Sequence, residues 1–152
     1  MYQKILVPLD GSDIATAILP HITELARCMQ SELILLRVYM PDFTLVESYG
    51  HAPEFYEELR QQARAEAIRY LEEVQADFET LGISARILVI EGLVVESILE
   101  TARSEKVDLI AMSSHGRTGL ARVFYGSVAA GVLHQVDRPL LLVRAVRRAS
   151  SE

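Results

Sequence analysis

A chain of 152 residues, half of them hydrophobic and with a formal net charge of −6, is long enough to bury a core of its own without a metal or disulfide staple. Its apolar runs fall far short of the roughly 20 residues that cross a bilayer, and its single cysteine, Cys28, excludes an internal disulfide and a thiolate zinc cluster. The negative balance, centred on residues 54–79, lacks the basic stripe that follows a nucleic-acid backbone.

The opening Met-Tyr-Gln-Lys-Ile-Leu-Val-Pro lacks the pattern of an export leader, which predicts a cytoplasmic protein with neither membrane nor nucleic acid as partner. Residues 4–9 form a short apolar strand that stops at Asp10-Gly11-Ser12-Asp13, a turn with N-cap candidates in Ser12 and Asp13. Asp10 precedes the cap, so its carboxylate is expected to be free for another role. Ala15, Leu19, Ile22, Leu25, Ala26 and Met29 recur at helical steps, with Cys28 in a packed or half-packed position beside them. Residues 32–39 are nearly all apolar, as a strand covered on both faces should be.

Residues 40–53, with Pro41, Gly50 and Pro53, read as a long loop of the kind often used for function. A long helix follows, its stripe made of Leu59, Ala63, Ala67, Tyr70, Leu71, Val74, Phe78 and Leu81, with the acids opposite and Gly82 as its stop. Ile83–Ile90 is the third strand, and Val95, Ile98, Leu99 and Ala102 mark a third helix. Val107–Met112 is the fourth strand. A fourth helix from about Gly126-Ser127 carries Val128, Val132, Leu133 and Val136, and residues 139–143 make a fifth strand. Five buried-type strands separated by helices imply a doubly wound α/β fold: a parallel sheet with helices on both faces. One domain over residues 1–146 and a disordered tail over 147–152 complete the expected organisation.

Chemistry concentrates between Ala111 and Val128. Gly116, Gly119 and Gly126 remove Cβ atoms where backbone N–H groups must approach a ligand, Ser113, Ser114, Thr118 and Ser127 add hydroxyls, and Arg117 and Arg122 add positive charge. This is the composition of a phosphate cradle. In a doubly wound sheet the ligand sits at the carboxyl ends of the strands where the winding reverses, so adjacency of strands one and four would put Asp10 and this loop at one mouth.

Lys-Ile-Leu-Val-Pro-Leu-Asp-Gly-Ser at 4–12, Leu-Leu-Arg-Val at 35–38, Asp-Leu-Ile-Ala-Met-Ser-Ser-His-Gly-Arg-Thr-Gly-Leu at 108–120, and the later Gly-Ser-Val and Arg-Pro-Leu-Leu-Leu-Val together resemble the universal stress protein family, of the small single-domain ATP-binding kind. The resemblance implies a Rossmann-like sheet of order 3-2-1-4-5, as in the adenine nucleotide alpha hydrolase-like folds, and a homodimer through the edge strand at 139–144. ATP-binding members carry Gly, two residues, Gly, nine residues, then Gly with Ser or Thr. Here Gly116, Arg117 to Tyr125, and Gly126-Ser127 fit the second and third parts, while Ser113 replaces the first Gly.

Carried over by motif, Asp10, with Pro8 and Leu9 leading into it, belongs near the ribose or adenine, and Val38 flanks the purine. Met112 and Ser113 line the cradle entry. Gly116, Gly126, Ser127 and Val128 offer N–H groups and a hydroxyl to the phosphates, with His115, Arg117 and Gly119 shaping or contacting them. The ligand so implied is ATP, with Mg²⁺ or Mn²⁺ held through its phosphates.

No catalytic residue is assigned, because a Gly-Lys-Ser/Thr loop and a second loop carboxylate are missing from the pattern. The histidines, His21, His51, His115 and His134, have no metal-ligand spacing, so no metal site is assigned either. The expected function is a nucleotide-responsive stress-response homodimer that binds ATP, hydrolyses it slowly at most, and presents its state to a protein partner. Two alternatives are a dimeric protein-binding module without nucleotide, to which Ser113 points, and an adenylating enzyme of the ATP-pyrophosphatase type.

Overall fold

A computed structural model describes residues 1–40, 53–116 and 126–146. The order of elements is β1 (Lys4–Pro8), a 3₁₀ turn (Ala15–Ile18), α1 (Leu19–Met29), β2 (Glu32–Tyr39), α2 (Pro53–Thr80), β3 (Ala85–Glu91), α3 (Val94–Ser104), β4 (Leu109–Gly116), α4 (Ser127–Gln135) and β5 (Leu140–Val146). The strands form one sheet of order β3-β2-β1-β4-β5, and every pairing in it is parallel.

The alternation of side chains along each strand divides the core in two. Ile5, Val7, Leu33, Leu35, Leu109 and Ala111 pack with Ile18, Ile22, Leu71 and Phe78 under α1 and α2. Leu6, Ile34, Leu36, Ile110 and Met112 pack with Ile98, Leu99, Ala102, Ala129 and Val132 under α3 and α4. Each of these larger aliphatic side chains contributes about 1.5–3 kcal/mol by leaving water. Two buried faces explain why β1 and β2 lack the apolar–polar alternation of a half-exposed strand.

Asp108 fixes the pairing on which the functional argument depends. Its Oδ2 accepts from the backbone N–H groups of Gln3 at 2.7 Å and Lys4 at 2.9 Å, and its own N–H donates to the Lys4 carbonyl at 2.8 Å. These bonds start β1 beside β4 in the register Ile5 to Leu109 and Leu6 to Ile110.

Several boundaries differ from the sequence expectation. β4 runs on to Gly116, because Ser113, Ser114, His115 and Gly116 pair in register with Val143 to Val146 of β5; small polar residues there signal a loop by composition, yet ladder bonds to a neighbouring strand outweigh that signal. β3 begins at Ala85 because the chain spends residues 81–84 leaving α2. That exit uses Gly82 at φ +71°, while Ile83 N–H reaches back to the Phe78 carbonyl at 3.0 Å, a left-handed helix stop.

Met29, Leu81 and Leu133 are exposed rather than core, since each stands at the end or rim of its helical stripe. Cys28 is likewise exposed, because the buried positions of α1 are Ile22 and Ala26. The loop expected at 40–53, apart from its two end residues, and the tail at 147–152 lie outside the described residues.

Candidate functional site

β1 hands the chain to the site without a break in pairing: Leu9 N–H still donates to the Leu36 carbonyl at 2.8 Å. The backbone then turns at Gly11, whose φ of +83° suits glycine. Asp10 Oδ1 accepts from Ser12 N–H at 2.8 Å and from the Ser12 hydroxyl at 2.6 Å, so Asp10 closes its own Asx turn. Ser12 Oγ in turn accepts from Ala15 N–H, the first of the 3₁₀ turn, at 3.2 Å. The expectation of a wholly free Asp10 carboxylate is therefore corrected. One oxygen holds the turn, and only Oδ2 has no hydrogen-bond partner among the described residues.

Two residues that sequence reasoning left out of the site stand beside this turn. A Cβ added to Gly11 would lie 2.0 Å from Arg37 Nη1 and 3.0 Å from its Cζ, so the guanidinium rests against the bare glycine. Arg37 also lies over the Tyr70 ring, 5.4 Å from its centroid, a cation–π distance. The Tyr70 hydroxyl is buried without a hydrogen-bond partner. Burial pushes the Tyr70 phenol above its ordinary value, the Asp10 and Asp13 carboxylates push it further, and Arg37 opposes them. The signal for Arg37 was a lone charge inside the apolar run of β2, and that for Tyr70 was a polar tip on an otherwise apolar helix stripe.

On the β4 side, the Ser113 hydroxyl donates to the Ala15 carbonyl at 3.2 Å. Asp10, Ser12, Ala15 and Ser113 thus form one hydrogen-bonded chain from the end of β1 to the middle of β4. Leu9 and Met112, also expected here, direct their side chains into the core, which leaves only their backbone to face a ligand. Pro8 is half-buried at the strand end, and Val38 packs half-buried on the α3 and α4 side with Val128. His115 and Gly116 are the last residues of β4. Arg117 and Gly119 lie outside the described residues.

β5 starts beside Ile110, near the beginning of β4, so α4 must run back from the carboxyl edge of the sheet. Its N-terminus therefore belongs to the same edge as Asp10. Gly126 is the N-cap and supplies no side-chain hydrogen bond. Helical bonding opens only with Ala130 N–H to the Gly126 carbonyl at 2.9 Å, which leaves the first N–H groups of α4, those of Ser127, Val128 and Ala129, without a partner inside the helix. A helix start with no side-chain cap among the described residues attracts anions through N–H groups and the positive end of the helix dipole.

The family model for the universal stress protein family matches residues 1–144. The chain belongs to that family. Among relatives, the universal stress protein MJ0577 of Methanocaldococcus jannaschii is 31% identical over 155 residues, covering 95% of this chain and 96% of its own. The structure of MJ0577 matches with a TM-score of 0.81 and 32% identity over 97% of this chain and 99% of that one. A universal stress protein in complex with cAMP shares the fold at a TM-score of 0.67 and 23% identity, covering 94% of this chain and 97% of that one. A universal stress protein family member from Arabidopsis thaliana with AMP bound does so at 0.68 and 17%, covering 95% and 93%. The five-stranded, Rossmann-like sheet of this universal stress protein is thus the one its family shares.

Proposed function

We propose that this universal stress protein binds an adenine nucleotide, ATP foremost, at the carboxyl mouth between β1 and β4. The observation that carries this reading is the adjacency of β1 and β4, which gives the Asp10 turn and the start of α4 a common edge. Asp10 Oδ2 serves the ribose or base, Val38 flanks the purine, and the N–H groups from Ser127 onward take the phosphates. Gly116, Arg117 and Gly119 complete the cradle. Mg²⁺ or Mn²⁺ enters with the phosphates. That two relatives of the same fold hold cAMP and AMP supports the choice of an adenine nucleotide.

The protein acts in this reading as a cytoplasmic regulatory binder, with slow hydrolysis at most, whose nucleotide state is read by a protein partner. β5 is an edge strand with an apolar Leu-Leu-Leu-Val start. Exposed apolar edges are hazardous unless paired, so β5 pairs with a second copy to form a homodimer. Ser113, which favours a nucleotide-free module by sequence, has its hydroxyl engaged with Ala15, an arrangement compatible with a retained site.

The direct test is the ultraviolet spectrum of purified protein, in which the lack of tryptophan leaves a purine band easy to see. An adenine nucleotide released on denaturation is the expected result. A protein that neither carries nor takes up any adenine nucleotide would overturn the reading in favour of the nucleotide-free module.

A further inference from the structure

Arg37 and Ser113 occupy equivalent places on either side of β1. Pro8 pairs with Leu36 and Leu6 with Ile110; continued along the strands, both registers bring Arg37 and Ser113 level with Leu9. The side chain of Leu9 is buried under α1 and α2, and the 3₁₀ turn that follows descends on that same face. From β2, the Arg37 guanidinium rests against Gly11. From β4, the Ser113 hydroxyl holds the Ala15 carbonyl at 3.2 Å. The segment from Gly11 to Ala15 is therefore gripped at both ends, and its middle is closed by Asp10 on Ser12 and by Ser12 on Ala15.

We propose that Arg37 and Ser113 are positioning residues that brace the Asp10 turn from the two strands beside it, so that the Asp10 side chain is set before any nucleotide arrives. This rests on the reading of the mouth as an adenine-nucleotide site. Two features make the brace specific to side chains rather than to the fold. Only a glycine at position 11 leaves room for the guanidinium, and only a hydroxyl at position 113 reaches the carbonyl. Arg37 has no ion pair among the described residues; its charge, with those of Asp10 and Asp13, acts on the Tyr70 phenol.

A pre-set turn removes ordering cost from binding. Ser113 then has the opposite meaning from that of a glycine replaced in a cradle. If Ser113 obstructs the site, Ser113→Gly tightens ATP binding. If Ser113 braces the turn, Ser113→Gly weakens it, by about two- to tenfold for one neutral hydrogen bond.

The experiment combines hydrogen exchange with ATP titration on the full chain, using Ser113→Gly, Ser113→Ala, Arg37→Met and Arg37→Lys. Without nucleotide, the brace predicts faster exchange at the Ser12 and Ala15 amides in Ser113→Gly, Ser113→Ala and Arg37→Met, with Leu35 and Ile110 unchanged and a smaller effect in Arg37→Lys. With ATP, it predicts weaker binding in the same three variants, and no effect of those variants on affinity in an Asp10→Ala background, where no side chain is left to position. Unchanged exchange at Ser12 and Ala15, or tighter binding in Ser113→Gly, would overturn the brace. A wild-type chain that takes up no nucleotide refutes the nucleotide reading, and the exchange arm then decides the brace alone.

Discussion

Gly131 on α4 lies against the side chain of Val95 on α3 so closely that a Cβ added to the glycine would stand 2.8 Å from Val95 Cγ2. The contact lets two helices on one face of the sheet approach with a bare backbone. α4 is short, Ser127–Gln135, so this contact helps set where its first N–H groups lie. Gly131→Val is expected to cost about 1–3 kcal/mol by overpacking, since the stiff Val95 side chain cannot swing away. Adding Val95→Ala should recover part of that loss in a double-mutant cycle followed by urea unfolding. Strict additivity of the two changes would contradict the contact.

Arg138 ties the end of α3 to the start of β5. Its Nη1 donates to the Ala102 carbonyl at 2.5 Å and the Val107 carbonyl at 2.9 Å, and its side chain is only 16% exposed. Hydrogen bonds from a charged group are stronger than neutral ones, and a cation at a helix C-terminus adds dipole stabilisation. Arg138→Ala is expected to lower stability by about 2–3 kcal/mol. Arg138→Lys should not restore it, because Nε of the guanidinium also donates to Asp137 Oδ1 at 2.8 Å while Nη1 holds the two carbonyls, and one ammonium does not span both places. Denaturant midpoints of the three proteins provide the measurement.

Tyr70 predicts a specific alkaline behaviour. Burial first, and the Asp10 charge second, raise its phenol above the ordinary value near 10. The folded state therefore keeps a proton that the unfolded state releases, so the Tyr70 contribution to stability is complete below about pH 10 and is lost as pH rises beyond it. Absorbance titration of the tyrosines should show a late component that is missing in Tyr70→Phe and later still in Arg37→Met, where the opposing charge is gone. Tyr70→Phe should also unfold less readily at alkaline pH. A Tyr70 component that titrates unchanged in Arg37→Met would separate the two residues.

The sequence made the fold legible where burial is complete. Leu33 to Leu36 and Ile5 to Val7 are apolar on both faces, and only a central parallel strand needs that pattern. Boundaries were less legible where composition and pairing disagree, as at Ser113 to Gly116, which form strand because β5 lies alongside. Within the candidate site, Asp10, Ser113 and Gly126 stand in motifs that the sequence displays, and the structure puts Asp10 and Ser113 in one hydrogen-bonded chain. The grip of Arg37 on Gly11 was not, because it depends on the register of β1 against β2 and on Tyr70 arriving from a distant helix. The use of Asp10 Oδ1 inside its own turn was likewise hidden, since a turn-forming and a ligand-binding aspartate look alike in sequence.

Titration calorimetry of the wild-type chain and Gly126→Val with ATP and Mg²⁺ tests the nucleotide site most directly. Gly126 caps α4 without a side chain, and a valine there sets a branched group beside the first N–H groups of the helix. Saturable heat with one site per chain in the wild type, abolished in Gly126→Val while that variant keeps its oligomeric state, is the predicted result. No heat in the wild type, or equal affinity in the two proteins, would contradict a phosphate cradle at the start of α4.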